Sequence, residues 1–203
     1  MTGRPEPASR RVARWISGLG HPFVLIIGFV IGGSLSAMGG RQALTLTVLI
    51  VACGIGPIVL YLLRLVRQGR TKFDVSAREL RGPIYALGLL LGAVLIVAAR
   101  VMKAPAGVVV TMAYALALVM IAALINLRLK VSLHTAFAVW VSLGWLVIEP
   151  RLGYGLMVLA VGVAWSRIHL RRHSPAEVLC GAALGTLIAL AMLATLTRIA
   201  AAP

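Results

Sequence analysis

Seven long apolar runs restrict this chain to a membrane fold. They fall at 22–38, 43–63, 84–99, 106–125, 133–148, 152–165 and 178–197. Most of them approach the ~20 residues that a helix needs to cross the hydrocarbon of a bilayer. Hydrophobic residues make up 61% of the chain and charged residues only 12%, which is more apolar surface than a soluble core can bury. Because lipid offers the backbone no hydrogen-bond partners and no run alternates like a barrel strand, the sequence predicts an all-α bundle of about six to seven transmembrane helices.

The segments outside these runs define the predicted domain organisation. Residues 1–14 carry prolines and arginines without apolar periodicity, which predicts a disordered basic tail. Residues 15–203 are expected to form one transmembrane helical domain, with the first run retained as an anchor rather than cleaved as a secretory signal. Runs 133–148 and 152–165 are separated only by Glu149-Pro150-Arg151. This pair is therefore either a tight hairpin of two helices or one re-entrant element.

Basic residues gather in alternate loops of the predicted bundle. Seven spans put the amino terminus and loops 64–83, 127–132 and 166–177 on one face. That face carries 15 of the 20 Lys and Arg residues, and the other carries Arg41, Arg100, Lys103, Arg151 and Arg198. By the positive-inside rule, the richer face is cytoplasmic. The bias toward alanine, glycine and arginine is typical of a high-GC bacterium, so the expected location is a bacterial cytoplasmic membrane.

The same charge distribution limits the partners that the chain is expected to bind. The net charge is +15, divided among short loops. Such loops attract anionic membrane lipids. Nucleic-acid binding is not expected, because it would need the charge gathered in a folded domain.

A cluster of ionisable residues lies between the last two apolar runs, at 165–177 (WSRIHLRRHSPAE). Ionisable residues at the border of a membrane span are commonly functional. Loops on this face end at predicted helix starts, namely Gly82-Pro83, Ser132 and the capping box 174–177. Helix amino termini attract anions, and Arg81, Lys130 and Arg167 stand near these starts. These features predict a site for the phosphate group of a membrane lipid.

Two of these segments resemble motifs of the type 2 phosphatidic acid phosphatase superfamily, which comprises membrane lipid phosphatases and related haloperoxidases. Its third motif, SRxxxxxHxxxD, is reproduced by Ser166-Arg167, His173 and Glu177, with glutamate in place of aspartate. Its second motif, PSGH, is approximated by Val131-Ser132-Leu133-His134, which keeps the serine and the histidine.

The first motif of that superfamily, KxxxxxxRP, is matched less closely. Arg81-Gly82-Pro83 inserts a glycine before the proline, and Asp74 stands where the lysine is usual. Lys72 or Lys130 would have to supply the missing charge. The three motifs nevertheless occur in the family's order over about half of the chain, and the predicted topology puts all of them on one face.

The resemblance implies a metal-independent phosphatase acting on a membrane lipid phosphate, either polyprenyl-linked or a phospholipid, at the cytoplasmic face. His173 would attack phosphorus and form a phosphohistidine, and Glu177 would hold its other ring nitrogen. His134 would protonate the leaving lipid alkoxide and later activate water. Neither a metal nor another cofactor is expected. The remaining site residues divide into a phosphate-binding set, Arg81, Lys130, Ser132 and Arg167, and a lining set, Arg78, Ser166 and His169.

Other interpretations of the same residues remain open. The fold is also compatible with a polyprenyl diphosphate phosphatase that recycles a cell-wall carrier, or with a non-catalytic membrane protein that binds anionic lipid or a partner. Glu177 has an alternative role as a helix cap, and the arginines as topology determinants and snorkelling anchors. His169, His173 and Glu177 would form a zinc-binding face only on a continuous helix, which Pro175 disfavours.

Overall fold

The computed structural model describes residues 7–70 and 81–201, and these form eight helices with no strand among them. The prediction of an all-α membrane bundle is confirmed. The helices are α1 Ala8–Leu19, α2 Pro22–Ala37, α3 Gly40–Arg67, α4 Arg81–Val101, α5 Ala106–Asn126, α6 Leu133–Ile148, α7 Pro150–His169 and α8 Pro175–Ala201. Helix α3 contains a π-helical segment, Ile50–Ile55.

Five of these helices, α3, α4, α5, α7 and α8, are long and apolar enough to cross a membrane. This number is smaller than the predicted six to seven spans. Helices α2 and α6 each contain 16 residues, which at the α-helical rise gives about 24 Å, less than the ~30 Å of hydrocarbon. Helices α1 and α2 meet at an angle of 43° and could together supply a sixth, bent span.

Helix α1 differs from the prediction of a disordered tail at residues 8–14, while residues 1–6 lie outside the described residues. The buried positions of α1 are Ala13 and Ser17, and Gly20 is buried directly after it. These small side chains carry little hydrophobic signal, yet they let a helix approach its neighbour closely. The prediction of a disordered tail was wrong for residues 8–14 because it rested on the absence of large apolar residues at helical spacing.

One compact unit of the chain comprises Met1–Ile26 and Val131–Thr186. Within it, α6 and α7 pack side by side as a tight hairpin of two helices, and α1 packs against α7. Gly153 is required for the close approach in the hairpin, because a Cβ there would lie 2.6 Å from the backbone nitrogen of Leu146. The largest fully buried side chains of this unit are Trp140, Phe137, Val131, Val141 and Val163.

The other compact unit comprises Ile27–Lys130 and Leu187–Pro203. In it α4 packs against α5 and against the π-helical segment of α3. Its buried hydrophobic cluster consists of Leu46, Ile50, Leu95, Ala99 and Val109. Polar contacts add to this packing: the Gln42 side chain donates to the Met102 carbonyl at 2.8 Å, and the hydroxyls of Tyr114 and Thr195 are hydrogen-bonded at 2.7 Å.

Candidate active site

The turn between α7 and α8 brings the two ends of the SRxxxxxHxxxE segment together. Arg171 has a φ of 53°, the left-handed conformation in which the chain commonly leaves a helix. The carbonyl of Arg167 accepts hydrogen bonds from the backbone nitrogens of Arg172 at 3.0 Å and His173 at 3.2 Å. The backbone therefore fixes His173 beside the last turn of α7, which carries Arg167.

The His173 ring is held by a carboxylate on the first turn of α8. His173 is 8% exposed, and its Nδ1 lies 2.7 Å from Oε2 of Glu177. The same carboxylate oxygen accepts from the Ser174 nitrogen at 3.3 Å, and the Ser174 hydroxyl accepts from the Glu177 nitrogen at 3.3 Å. The predicted capping box is thus present, and its glutamate also contacts the histidine. The two suggested roles of Glu177 are compatible.

Arg167 and Ser166 end α7 as buried residues with different partners. Arg167 is 3% exposed, and its Nη1 donates to the Ser17 hydroxyl of α1 at 3.0 Å. The Ser166 hydroxyl donates to the Val163 carbonyl at 2.7 Å, within its own helix. This bond gives Ser166 a local structural contact, whereas Arg167 is linked to a second element of the unit.

The start of α6 approaches the start of α8 through the backbone. The nitrogen of Ser132 donates to the carbonyl of Glu177 at 3.2 Å, and the Ser132 hydroxyl caps α6 by accepting from the Thr135 nitrogen at 3.5 Å. A Cβ on Gly181 would lie 2.5 Å from the Ser132 carbonyl oxygen, so only glycine permits this approach. Two helix amino termini consequently meet at this end of the unit, as an anion site would require.

His134, in the first turn of α6, lies among the other ionisable groups of this end. Its imidazole lies close enough to interact electrostatically with the side chains of Arg167, Arg172, His173 and His21. Its ring contacts the His21 ring in a T-shaped arrangement, with centroids 5.0 Å apart. The structure thus brings His134, Arg167, His173 and Glu177 together in one unit, although the motifs that contain them are about 30 residues apart in the sequence.

Two residues of the predicted phosphate-binding set, Arg81 and Lys130, belong to the other compact unit. Arg81 begins α4 in the other unit, where its Nη1 donates to Oδ1 of the buried Asn126 at 3.2 Å. Lys130 is exposed and directly precedes Val131. Arg78 and Lys72 lie outside the described residues. For Arg81, Lys130, Ser132 and Arg167, a contact with phosphate stays a prediction, and so does the lining role of Arg78.

The ring of His169 contacts a residue of its own helix. Its ring stacks on Trp165 with centroids 4.9 Å apart. It borders an open groove of about 610 Å³, lined by Pro7, Ser9, Arg10, Ile168, His169 and Arg171. The zinc-binding interpretation needs a continuous helix through 169–177, but α7 ends at His169 and α8 begins at Pro175. Among residues 7–70 and 81–201, no group of three or more His, Cys, Asp or Glu side chains is arranged to hold a metal ion.

Two residues of this site were missed by sequence reasoning, Ser17 and His21. Neither residue was singled out in the sequence. Only the predicted topology could have indicated them, because it puts the amino terminus on the same face as loops 127–132 and 166–177. Neither residue belongs to a recognisable motif.

The comparison with known families covers most of this site. Residues 108–200 match the sequence model of the PAP2 superfamily. This part of the chain belongs to that superfamily. Membership of this family indicates phosphatase activity on phosphate esters. The long apolar helices indicate an integral membrane protein. The matched segment contains α6, α7 and most of α8, whereas α1, α2 and Arg81 precede it. No curated protein and no solved structure gives a significant match to the chain.

Proposed function

We propose that this PAP2 superfamily member removes phosphate from a membrane lipid phosphate, polyprenyl-linked or phospholipid, through a phosphohistidine on His173. The observation that carries the proposal is the contact between His173 Nδ1 and Glu177 Oε2 at 2.7 Å beside the buried Arg167. A carboxylate on one ring nitrogen orients an imidazole and stabilises the cation that forms when the other nitrogen reacts.

The proposed reaction proceeds in two displacements. His173 Nε2 attacks phosphorus, the bond between phosphorus and the lipid oxygen breaks, and His134 gives a proton to the departing alkoxide. His134 then accepts a proton from water, whose oxygen attacks the phosphohistidine. The phosphorus–nitrogen bond breaks and inorganic phosphate leaves. The proton that His134 gave to the alkoxide is replaced by the proton from water, so each cycle restores both histidines.

Phosphate binding is assigned in this proposal to groups that match its charge and shape. The guanidinium of Arg167 offers planar, paired donors to phosphate oxygens. Ser132 is proposed to add a further donor, and the meeting amino termini of α6 and α8 favour an anion between them. Charge spread over the equatorial oxygens of the transition state would be stabilised by such fixed donors.

The position of these residues at helix ends of a membrane protein supports a lipid substrate. Arg167 and His173 border apolar helices that are long enough to span a bilayer, so a phosphate carried on a lipid would reach them from the leaflet. We place the reaction at the cytoplasmic face, because the loops on this side of the predicted topology carry most of the Lys and Arg residues.

The test of this function is phosphate transfer by the purified full-length protein in detergent with a chelator present. We expect release of inorganic phosphate from at least one member of a panel containing phosphatidic acid, phosphatidylglycerophosphate, polyprenyl phosphate and polyprenyl diphosphate. With ³²P-labelled substrate and an alkaline quench, label should remain on the protein and be lost in acid, as expected for phosphohistidine. Phosphate release without a labelled protein would reject the covalent route. Release from polyprenyl diphosphate alone would replace the monophosphate assignment, and no release from any lipid would reject the function.

The proposed orientation has its own measurement. In a Cys53→Ala/Cys180→Ala background, we introduce a single cysteine at Gln68 or, as the matched control, at Lys103. The cysteine at position 68 should react with a membrane-impermeant maleimide only after permeabilisation, because it is expected to face the cytoplasm. The cysteine at position 103 should react in intact cells. The opposite labelling pattern would move the active site to the outer face.

A further inference from the structure

The corner between α1 and α2 contacts two residues of the proposed active site from outside the matched segment 108–200. We propose that Ser17 and His21, at this corner, are positioning residues that orient Arg167 for phosphate binding and His134 for proton transfer. This inference rests on the proposed function and extends it to a part of the chain that the family match does not include.

Ser17 acts on the guanidinium itself. Its hydroxyl accepts a hydrogen bond from Arg167 Nη1 at 3.0 Å, and both residues are buried, at 8% and 3% exposure. A guanidinium presents its donors in a rigid planar fork, so fixing one nitrogen fixes the directions of the others. A bidentate contact with phosphate depends on that plane. Ser17 therefore aligns the fork without touching the substrate.

The corner is held against the helix that carries Arg167. Ala13 is fully buried on the face of α1 that also presents Ser17, one turn later. Gly20 lies so close to α7 that an added Cβ would collide with the Val163 side chain. Such close packing leaves little room for Ser17 to shift relative to Arg167.

His21 acts on the ring of His134. The two rings form a T-shaped contact with centroids 5.0 Å apart and an interplanar angle of 84°. His21 is itself oriented, because its Nδ1 accepts from the Phe23 nitrogen at 3.3 Å and its ring lies 4.9 Å from the Phe23 ring. A fixed ring beside His134 restricts the rotation of that imidazole, which must point at the leaving oxygen to protonate it.

The first test is a double-mutant cycle with Ser17→Ala and Arg167→Ala in the purified full-length protein. Ser17→Ala should raise both KM for the lipid phosphate and Ki for inorganic phosphate by about tenfold, the effect expected of one hydrogen bond to a charged group. In the Arg167→Ala background, the same change should alter these constants less than about twofold, because Ser17 then has no fork to align. Val12→Ala, which shortens an exposed side chain on the same helix, is the control and should leave both constants unchanged.

The cycle separates this inference from the function on which it rests. If the unmodified protein releases no phosphate, the proposed function fails. If it is active and Arg167→Ala impairs it, but Ser17→Ala does not, the positioning role of Ser17 is wrong. Equal effects of Ser17→Ala in both backgrounds would also overturn that role, since they would indicate a general loss of folding rather than action through Arg167.

The second test compares two substitutions of His21 on two substrates. His21→Ala should slow the first displacement from the lipid phosphate, measured as formation of labelled protein in a single turnover, by about tenfold, less than the ~10²-fold or more expected when a general acid is removed, and should slow the nitrophenol burst from p-nitrophenyl phosphate much less. The difference arises because nitrophenolate leaves without needing a proton. His21→Phe keeps a ring against His134 and should retain most of the activity. Equal losses on both substrates, or equal losses in both variants, would contradict the positioning of His134 by this ring.

Discussion

Replacing His173 with asparagine should reduce phosphate release by about 10³-fold or more, the size of loss expected when a nucleophile is removed. The asparagine amide reproduces the position of Nδ1 and can donate to Glu177, which lies 2.7 Å from that nitrogen in the native protein. It lacks the Nε2 that attacks phosphorus in the proposed reaction. The measurement is inorganic phosphate release under saturating lipid phosphate, together with the protein-bound ³²P label, which should disappear.

The controls for His173→Asn distinguish loss of the nucleophile from loss of the fold. The variant should elute like the native protein in size-exclusion chromatography and keep its affinity for inorganic phosphate, because Arg167 remains. Arg151→Ala removes an exposed cation from the first turn of α7, far along the helix from Arg167, and should retain full activity. If His173→Asn released phosphate at the native rate, His173 would not be the nucleophile and the covalent mechanism would fail.

Local signals in the sequence were sufficient to predict the framework of this site. The capping box at 174–177 depends on residues three positions apart, and the structure contains both of its hydrogen bonds. The helix start at Ser132 was predicted from one capping side chain, and α6 begins at the next residue. The spacing of His173 and Glu177 placed them one turn apart, and their side chains are in contact.

Contacts between distant segments were not predictable from these patterns. Ser17 and Arg167 are 150 positions apart, and no periodicity or motif links a serine in an arginine-rich segment to an arginine of another helix. The contact depends on how α1 packs against α7, and that packing uses Ala13 and Gly20 rather than large apolar residues. Small residues favour close approach but do not specify a partner. His21 was missed for the same reason.

Helix lengths were also only partly predictable. The apolar run 152–165 is the shortest of the seven, yet α7 extends from Pro150 to His169, because Glu149 caps the helix just before Pro150 and the polar residues at its carboxyl end are helical as well. The run 22–38 agrees with α2 to within one residue, but the helix α1 before it and the bend of 43° between the two helices were not predicted. Hydropathy measures where apolar side chains lie, whereas the helix ends are determined by capping and by proline.

Replacing His134 with alanine should make the rate of the first displacement depend strongly on the leaving group. For the lipid phosphate, whose alkoxide must be protonated as it leaves, kcat should fall by about 10²- to 10⁴-fold, the usual contribution of a general acid or base. For p-nitrophenyl phosphate, the first displacement should remain fast. Hydrolysis of the phosphohistidine should then be slow, because the base that activates water is absent. We expect a burst of nitrophenol equal to the protein concentration, followed by a slow steady rate.

The burst distinguishes His134 from a residue that only supports the fold. His134 lies within electrostatic range of Arg167 and His173 and begins a helix whose start contacts α8 through Ser132, so a general disturbance of the site would slow both displacements. In that case neither substrate would give a burst, because the first displacement would be slow for both. We expect labelled protein to accumulate in His134→Ala and to be absent from the double variant His134→Ala/His173→Asn. Together these results would require an attacking nitrogen at position 173 and a proton carrier at position 134.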